Sequence, residues 1–448
     1  MFWQLQHGDA PALIELQSQR TLTYRELSAE VSAFANLLLS HSEQKRFGII
    51  YMRNSISCMI AYLGALQKQD AVLLLDAGLS EPLKQQFAQH YKPDWIFDDE
   101  WLDMGQESQT PCHEQLAVLL STSGSTGNPK LVQLSYQNIQ SNASSIARYL
   151  NITAAERPIT TLSPAYSYGL SVLNSHLLQG ATILLTDESV ISGAFWKAFK
   201  QYEATSFAGV PYMYQMLHRL RFASMELPSL RYFTQAGGRL SQSLTAYFSE
   251  FAKTHHIPFV VMYGQTEATA RISYVPPDQL EAKQGSIGIA IPDGELAIDP
   301  ATEELVYRGP NVMLSYAETR ADLALGDQQH GVLKTGDLAR QDEDGYFWIL
   351  GRMKRFIKLY GLRMNLDDLE RFLEQSLELS VACSGQDEQL LVALEASHDD
   401  TILQTIRQQL KLRYGIHHTS LRIRFMDELP RLSSGKMDYI RLANEVEQ

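Results

Sequence analysis

Cysteine is scarce: Cys58, Cys112 and Cys383 are the only three in 448 residues. They are too few and too scattered for a disulfide framework or a structural zinc site, so they are expected to be packing residues. Positive charge is in deficit too, with 38 Lys and Arg against 51 Asp and Glu and a formal net charge of -13 at pH 7. Such a balance argues against a nucleic-acid partner held through its phosphates. Long apolar runs are also missing. No stretch approaches the roughly 18 apolar residues of a membrane span, and the opening MFWQLQHGDAPALIEL has no basic flank leading into an apolar segment. The expectation is a cytoplasmic protein without a membrane span. Internal repeats and low-complexity tracts are absent as well.

What is present is ordinary globular material, 45% hydrophobic and 20% charged, in a chain too long for one core. Two or three domains are expected. Apolar runs at 71–76, 116–121, 181–186, 205–210, 231–237 and 258–264 read as buried strands, and stretches such as LTAYFSEFAKTHH between them carry helical spacing. This alternation predicts an α/β fold, a large domain of several parts with parallel sheets and helices on both faces. After about residue 285 the chain turns to short strands punctuated by Gly and Asp, ELAIDPATEELVYRG and DEDGYFWILG, which predicts a small β subdomain. From about Gly351 onward, NLDDLERFLEQS, LLVALEAS, TILQTIRQQLKLRYG and LRIRFM read as helix, strand, helix and strand, a separate small α+β domain.

One stretch stands out. LLSTSGSTGNPKLVQLS, residues 119–135, runs from an apolar strand through hydroxyls, glycines and a lysine toward a helix expected at 137–150 with Ser135 as its cap. Glycines let backbone N–H groups turn outward, hydroxyls add donors and the lysine adds charge, which together make an anion cradle suited to a polyphosphate. It is not a Walker loop, because Asn128 and Pro129 separate Gly127 from Lys130. The alternative is a flexible surface linker, although a linker seldom follows a buried strand so abruptly.

STSGSTGNPK resembles the phosphate-loop signature of the adenylate-forming superfamily, which holds acyl-CoA synthetases, stand-alone adenylation domains and luciferases. YGQTEA (263–268), KTGDLA (334–339), GRMKRFIKLYGLRMNLDDLE (351–370) and LPRLSSGKMD (429–438) follow in the family's order, so the resemblance covers nearly the whole chain. It implies a reaction in which a carboxylate oxygen attacks the α-phosphorus of ATP, expels pyrophosphate and leaves an acyl adenylate. Two anions must meet, so positioning and charge compensation are the main tasks.

The resemblance implies roles residue by residue. Thr122, Ser123, Gly124, Ser125, Thr126, Gly127 and Lys130 would hold the departing phosphates. Thr266 would hydrogen-bond the α-phosphate, Glu267 would hold Mg²⁺, and Tyr263, beside Gly264, would lie against adenine. Asp337 would accept hydrogen bonds from the ribose hydroxyls, and Arg352 would also reach the ribose. Lys436 would bridge the substrate carboxylate and the α-phosphate, a stabilisation of developing charge. Lys354 falls at the family's hinge, dividing an ATP- and acyl-binding domain, 1–353, from a mobile domain, 354–448, that carries Lys436. Rotation there would exchange adenylation for thioester formation.

Departures from the family pattern bear on the acid. Tyr166 stands where many acyl-CoA synthetases have a histidine, and Ser167 stands where amino-acid adenylation domains place the aspartate for the α-ammonium group. Without that carboxylate a buried ammonium lacks its partner, which favours an acid with no α-amino group. Gly209, Val210 and Pro211 of AGVPYMY, with Gly237 and Gly238 of QAGG, are expected to complete the acyl and adenine pockets; the neighbouring aromatics either touch substrate or pack. Leu131 and Tyr136 replace a frequent glycine and histidine. The implied cofactors are ATP, Mg²⁺ and a phosphopantetheine thiol, of CoA or of a carrier protein. Arg352, Lys354, Arg355, Lys358 and Arg363 form either a positive face for CoA phosphates or an acidic carrier, or a solvated hinge segment. The other readings are a stand-alone domain loading an amino acid onto a carrier, a non-catalytic nucleotide-binding relative, and luciferase-like oxygen chemistry. Intact Lys436, Glu267 and Asp337 speak against the non-catalytic one.

Overall fold

A computed structural model describes residues 1–104, 110–121, 130–353, 355–360, 362–386, 388–432 and 435–447. The chain is mixed α/β and divides into two compact units, residues 1–296 with 307–333, and residues 297–306 with 334–448. The expected hinge residue Lys354 lies outside the described residues.

Among the described residues the first unit holds a seven-stranded sheet in the order Ser315–Ala317, Leu131–Ser135, Leu116–Ser121, Ala71–Asp76, Phe47–Met52, Trp95–Asp98 and Glu100–Asp103. Its middle strands pair in parallel, and the strands toward both edges antiparallel. Burial on both faces explains why AVLLLD and LAVLLS are nearly continuous in apolar residues. A second sheet joins Ser206–Gly209, Tyr232–Gln235 and Phe259–Tyr263 in parallel, with Ser273–Tyr274 and Ile289–Ala290 added antiparallel. The pairing register puts Phe207 beside Phe233 and Phe233 beside Phe259. Their rings stack at 5.5 and 4.7 Å. With a side-chain period of two, the intervening Ser206, Tyr232 and Thr234 belong to the opposite face, and they line a cavity shared with helix Ser167–Leu178.

The helix expected at 137–150 spans Tyr136–Tyr149, and the Ser135 hydroxyl accepts from the Asn138 N–H as its cap. The strand expectations at 181–186, 205–210, 231–237 and 258–264 shorten to Ile183–Leu185, Ser206–Gly209, Tyr232–Gln235 and Phe259–Tyr263. All three cysteines are buried and free, as packing residues are.

In the second unit, residues 337–341 of strand Val332–Gln341 pair antiparallel with Phe347–Arg352. Beyond them, Val381–Gln386, Gln389–Glu395 and Leu421–Met426 form a sheet with one antiparallel and one parallel pairing. Helix Leu366–Leu377 is capped by the Asn365 side chain, and Asp400–Tyr414 ends on Gly415 at φ 68°, a left-handed stop suited to glycine. The core is aliphatic, with Leu369, Leu373, Val392, Leu394, Ile406 and Leu410 fully buried.

Candidate active site

Strand Phe259–Tyr263 ends at Gly264, and the chain then folds back so tightly that a Cβ at Gly264 would lie 1.8 Å from the Ala270 carbonyl oxygen. Only glycine fits that approach. The enclosed turn carries Thr266 and Glu267, and it is fastened by residues far along the chain. The Asn311 amide donates to the carbonyls of Ala268 at 2.8 Å and Arg271 at 2.9 Å, while its own carbonyl accepts from the Thr269 hydroxyl at 2.7 Å. The Tyr307 phenol holds the Asn311 Oδ1 at 2.8 Å, and the Met313 N–H donates to the Glu267 carbonyl at 2.8 Å. Thr269 sits at φ 64°, a conformation that costs a β-branched residue energy, and these bonds over-determine it.

Around this turn several expected residues meet. The Ser167 and Thr266 hydroxyls are 3.4 Å apart. The Gln265 amide donates to the Tyr263 phenol at 3.1 Å. Gly237, at φ 85°, leaves no room for a Cβ, which would stand 2.7 Å from the Tyr166 phenol oxygen and 3.0 Å from a Val210 methyl. Gly238 backs onto Pro211 in the same way, and the Ala236 N–H donates to the Gly209 carbonyl. Tyr166, Val210, Pro211, Gly237 and Gly238 therefore share one wall. Burial pushes the Tyr166 phenol up to about 12.

Tyr316 is a site residue that sequence reasoning missed. Its phenol donates to Glu267 Oε1 at 2.9 Å, and the Lys130 ammonium lies over its ring at 3.9 Å and 3.7 Å from Glu318. One tyrosine thus joins the lysine expected at the phosphates to the carboxylate expected at the metal. Thr122, Ser123, Gly124, Ser125, Thr126 and Gly127 lie outside the described residues.

The second unit holds the remaining candidates. Asp337 and Arg352 are direct partners in their antiparallel pair, with Nε to Oδ1 at 3.2 Å. Asp337 is buried and the Arg352 side chain is exposed, so the pair runs from the interior of this unit to its surface. Lys436 closes a turn in which its carbonyl accepts from the Leu432 N–H at 2.8 Å, with Gly435 at φ 76°.

Arg355 departs from the expected positive face. Its guanidinium pairs with Asp367 and, at 3.1 Å, with Glu370, donates to the Cys383 carbonyl at 2.7 Å and lies 3.8 Å over the Tyr439 ring. The Tyr439 phenol and the Cys383 N–H both donate to Glu370 at 2.8 Å. This charge is spent inside the fold, because two carboxylates answer it there. Lys358 remains exposed.

The model of the family described as AMP-binding enzyme matches residues 2–106 and 84–317. An indoleacetate-CoA ligase of Aromatoleum aromaticum is 31% identical over 341 residues, 71% of this chain and 65% of that relative's length. A D-alanine-D-alanyl carrier protein ligase of Staphylococcus epidermidis is 27% identical over 95% of this chain and 94% of its own length. The solved structure of o-succinylbenzoate coenzyme A synthetase from Bacillus subtilis, in complex with ATP and magnesium ion, matches with a TM-score of 0.80 over 98% of both chains at 23% identity, a likeness of fold. With a family match across most of its length and a relative above 30% identity, the chain belongs to the AMP-binding enzyme family.

Proposed function

We propose that the protein joins a carboxylic acid to a phosphopantetheine thiol through an acyl adenylate. A carboxylate oxygen attacks the α-phosphorus of ATP, the bond to the β-phosphate oxygen breaks, and pyrophosphate leaves. The thiolate sulfur then attacks the acyl carbon, and AMP departs with the bonding electrons. The observation that carries this reading is the clamped turn 264–271, which presents Thr266 and Glu267 beside Ser167 with Lys130 reached through Tyr316.

In this reading the Thr266 hydroxyl donates to the α-phosphate, while Lys130 and residues 122–127 receive the outgoing phosphates. Among the described residues no group of three His, Cys, Asp or Glu could hold a metal by itself. A lone Glu267 nevertheless fits Mg²⁺, which takes one or two carboxylates and fills its shell with phosphate oxygens and water. Bound there, Mg²⁺ would offset phosphate charge. Asp337 accepts from the ribose hydroxyls with Arg352 alongside, and Tyr263 packs on adenine. Lys436 stands between the two reacting anions, delivered by residues 354–448 turning about Lys354, while residues 1–353 bind ATP and acid. Use of ATP fits a cytoplasmic location, and among the described residues no helix is long and apolar enough to cross a membrane.

The thiol acceptor is CoA or a carrier protein, the two acceptors named for the relatives above. ATP/pyrophosphate exchange screened across fatty, aromatic, dicarboxylic and amino acids, followed by thioester assays with CoA and with a phosphopantetheinylated carrier, tests both parts. Exchange with at least one acid is expected. Exchange with none would overturn the reading, and thioester formed on CoA alone would remove the carrier.

A further inference from the structure

Helix Ser167–Leu178 lies on the sheet face that bears Ser206, Tyr232 and Thr234, and between them is a cavity of ≈ 20 Å³. That is room for about one water. Most of its polar lining is satisfied internally. The Tyr168 and Thr234 hydroxyls bond at 2.7 Å. His176 has Nδ1 against the Val172 carbonyl at 2.7 Å, so Nδ1 donates there and Nε2 accepts from the Tyr232 phenol at 2.8 Å. Burial pushes His176 down to about 4, so the imidazole is neutral.

Arg271 is different. It is 3% exposed and lines the same cavity, its guanidinium 3.9 Å over the Tyr168 ring. It bonds the Tyr149 phenol, and Nη1 reaches its neighbour Ala270's carbonyl at a long 3.4 Å. Nε is buried with no hydrogen-bond partner. Among the described residues no carboxylate forms an ion pair with it, and the cavity lining contains no Asp or Glu. Attraction to one aromatic face offsets only part of the cost of burying a guanidinium without a counter-charge. One N–H left open on a buried guanidinium without a counter-charge matches an oxygen of a carboxylate or sulfonate.

One helix links the cavity to the reacting end assigned above. Ser167, the first residue of the helix, faces Thr266, while Tyr168, Ser171, Ser175 and His176 farther along it line the cavity. Arg271 is the last residue of the clamped turn. We infer that Arg271 is a specificity-determining residue that pairs with a second anionic group at the far end of a short acid. This rests on the adenylating reading given above. With room for about one water as it stands, the cavity admits a terminal anion only as its lining side chains move apart, which favours the shortest spacers, and a positive, carboxylate-free lining excludes an ammonium group from that end.

The test is an exchange assay on size-matched pairs: malonate, succinate, glutarate and adipate against propionate, butyrate, pentanoate and hexanoate, with sulfoacetate and 3-sulfopropionate as sulfonates. At least one dianion should exceed its matched monoacid in kcat/KM by roughly tenfold or more. Arg271→Met and Arg271→Gln should bring that ratio to about one, with Arg271→Lys intermediate. The wild-type ratio needs no variant to fold. A wild type that prefers monoacids, aromatic acids without a second anion or amino acids would overturn this inference alone, as would variants that keep the preference. Exchange with no acid would overturn the adenylating reading and this one with it.

Discussion

Two arginines, one in each compact unit, sit over tyrosine rings at almost the same distance, the buried Arg271 on Tyr168 at 3.9 Å and the half-buried Arg355 on Tyr439 at 3.8 Å. Their surroundings are otherwise opposite. Arg355 meets Asp367, Glu370 and a backbone carbonyl, and the neighbouring carboxylates help hold its pKa above the ordinary value although burial opposes them. Arg271 meets a phenol, a ring and its neighbour's carbonyl. A charge answered from within ties segments together, here the residues after Arg352 with helix Leu366–Leu377, strand Val381–Gln386 and helix Tyr439–Glu447. A charge left open reserves its binding energy for something that arrives.

The comparison breaks first on stability. Arg355→Met would strand Asp367 and Glu370 without their cation; removing one partner of a buried pair costs about 3–5 kcal/mol, and the lower end applies to this partly exposed cluster. Denaturant melting should show that loss in the second unit, whereas Arg271→Met should shift the melt by less than about 1 kcal/mol or raise it, because no carboxylate is orphaned. Equal losses at both sites would erase the distinction.

Next comes a cation placed by neither route. Lys436→Ala should slow adenylation by about 10²–10³-fold, the scale of removing one preorganised stabiliser of developing charge. Melting and thiolation of a supplied acyl adenylate should change little. Similar losses in both half-reactions would withdraw the role given to Lys436.

The smallest effect concerns a buried group kept neutral. His176 titrates near 6.5 when unfolded and at about 4 in the fold, so between those values the unfolded chain binds the extra proton. Stability is then fully present above pH 6.5 and falls as pH drops toward 4, by on the order of 3 kcal/mol. His176→Gln should flatten that stretch of the pH–stability curve. An unchanged slope would assign the acid loss to other groups.

Much of the fold was legible in the sequence, since strands buried on both faces leave long apolar runs and Ser135 and Asn365 cap the helices they precede. Strand ends were overextended by a residue or two, in part because flanking residues such as Ala181, Thr205 and Val210 stay buried after the pairing stops. At the site, local motifs marked Thr266, Glu267 and Tyr263, whereas Tyr316 and Asn311 reach the turn only through the pairing of Ser315–Ala317 with Leu131–Ser135. No spacing of 40 or 50 residues announces such a contact. Nothing in the sequence singles out Arg271, and Arg355 reads as one of a basic run; burial tells the first apart, and partners the second.

The fastening of the turn 264–271 by Tyr307, Asn311 and Met313 also governs how this protein could be recombined. The helix and strands around the Arg271 cavity look like a cassette, residues 163–271, that on the proposed reading could be transplanted to alter which acid is taken. Its last turn, however, is moulded by a donor set some 40 residues downstream, and groups sharing one hydrogen-bond network do not act independently. A graft that moves 163–271 without 307–316 separates the mould from its cast, so the smallest exchangeable piece is discontinuous in the chain.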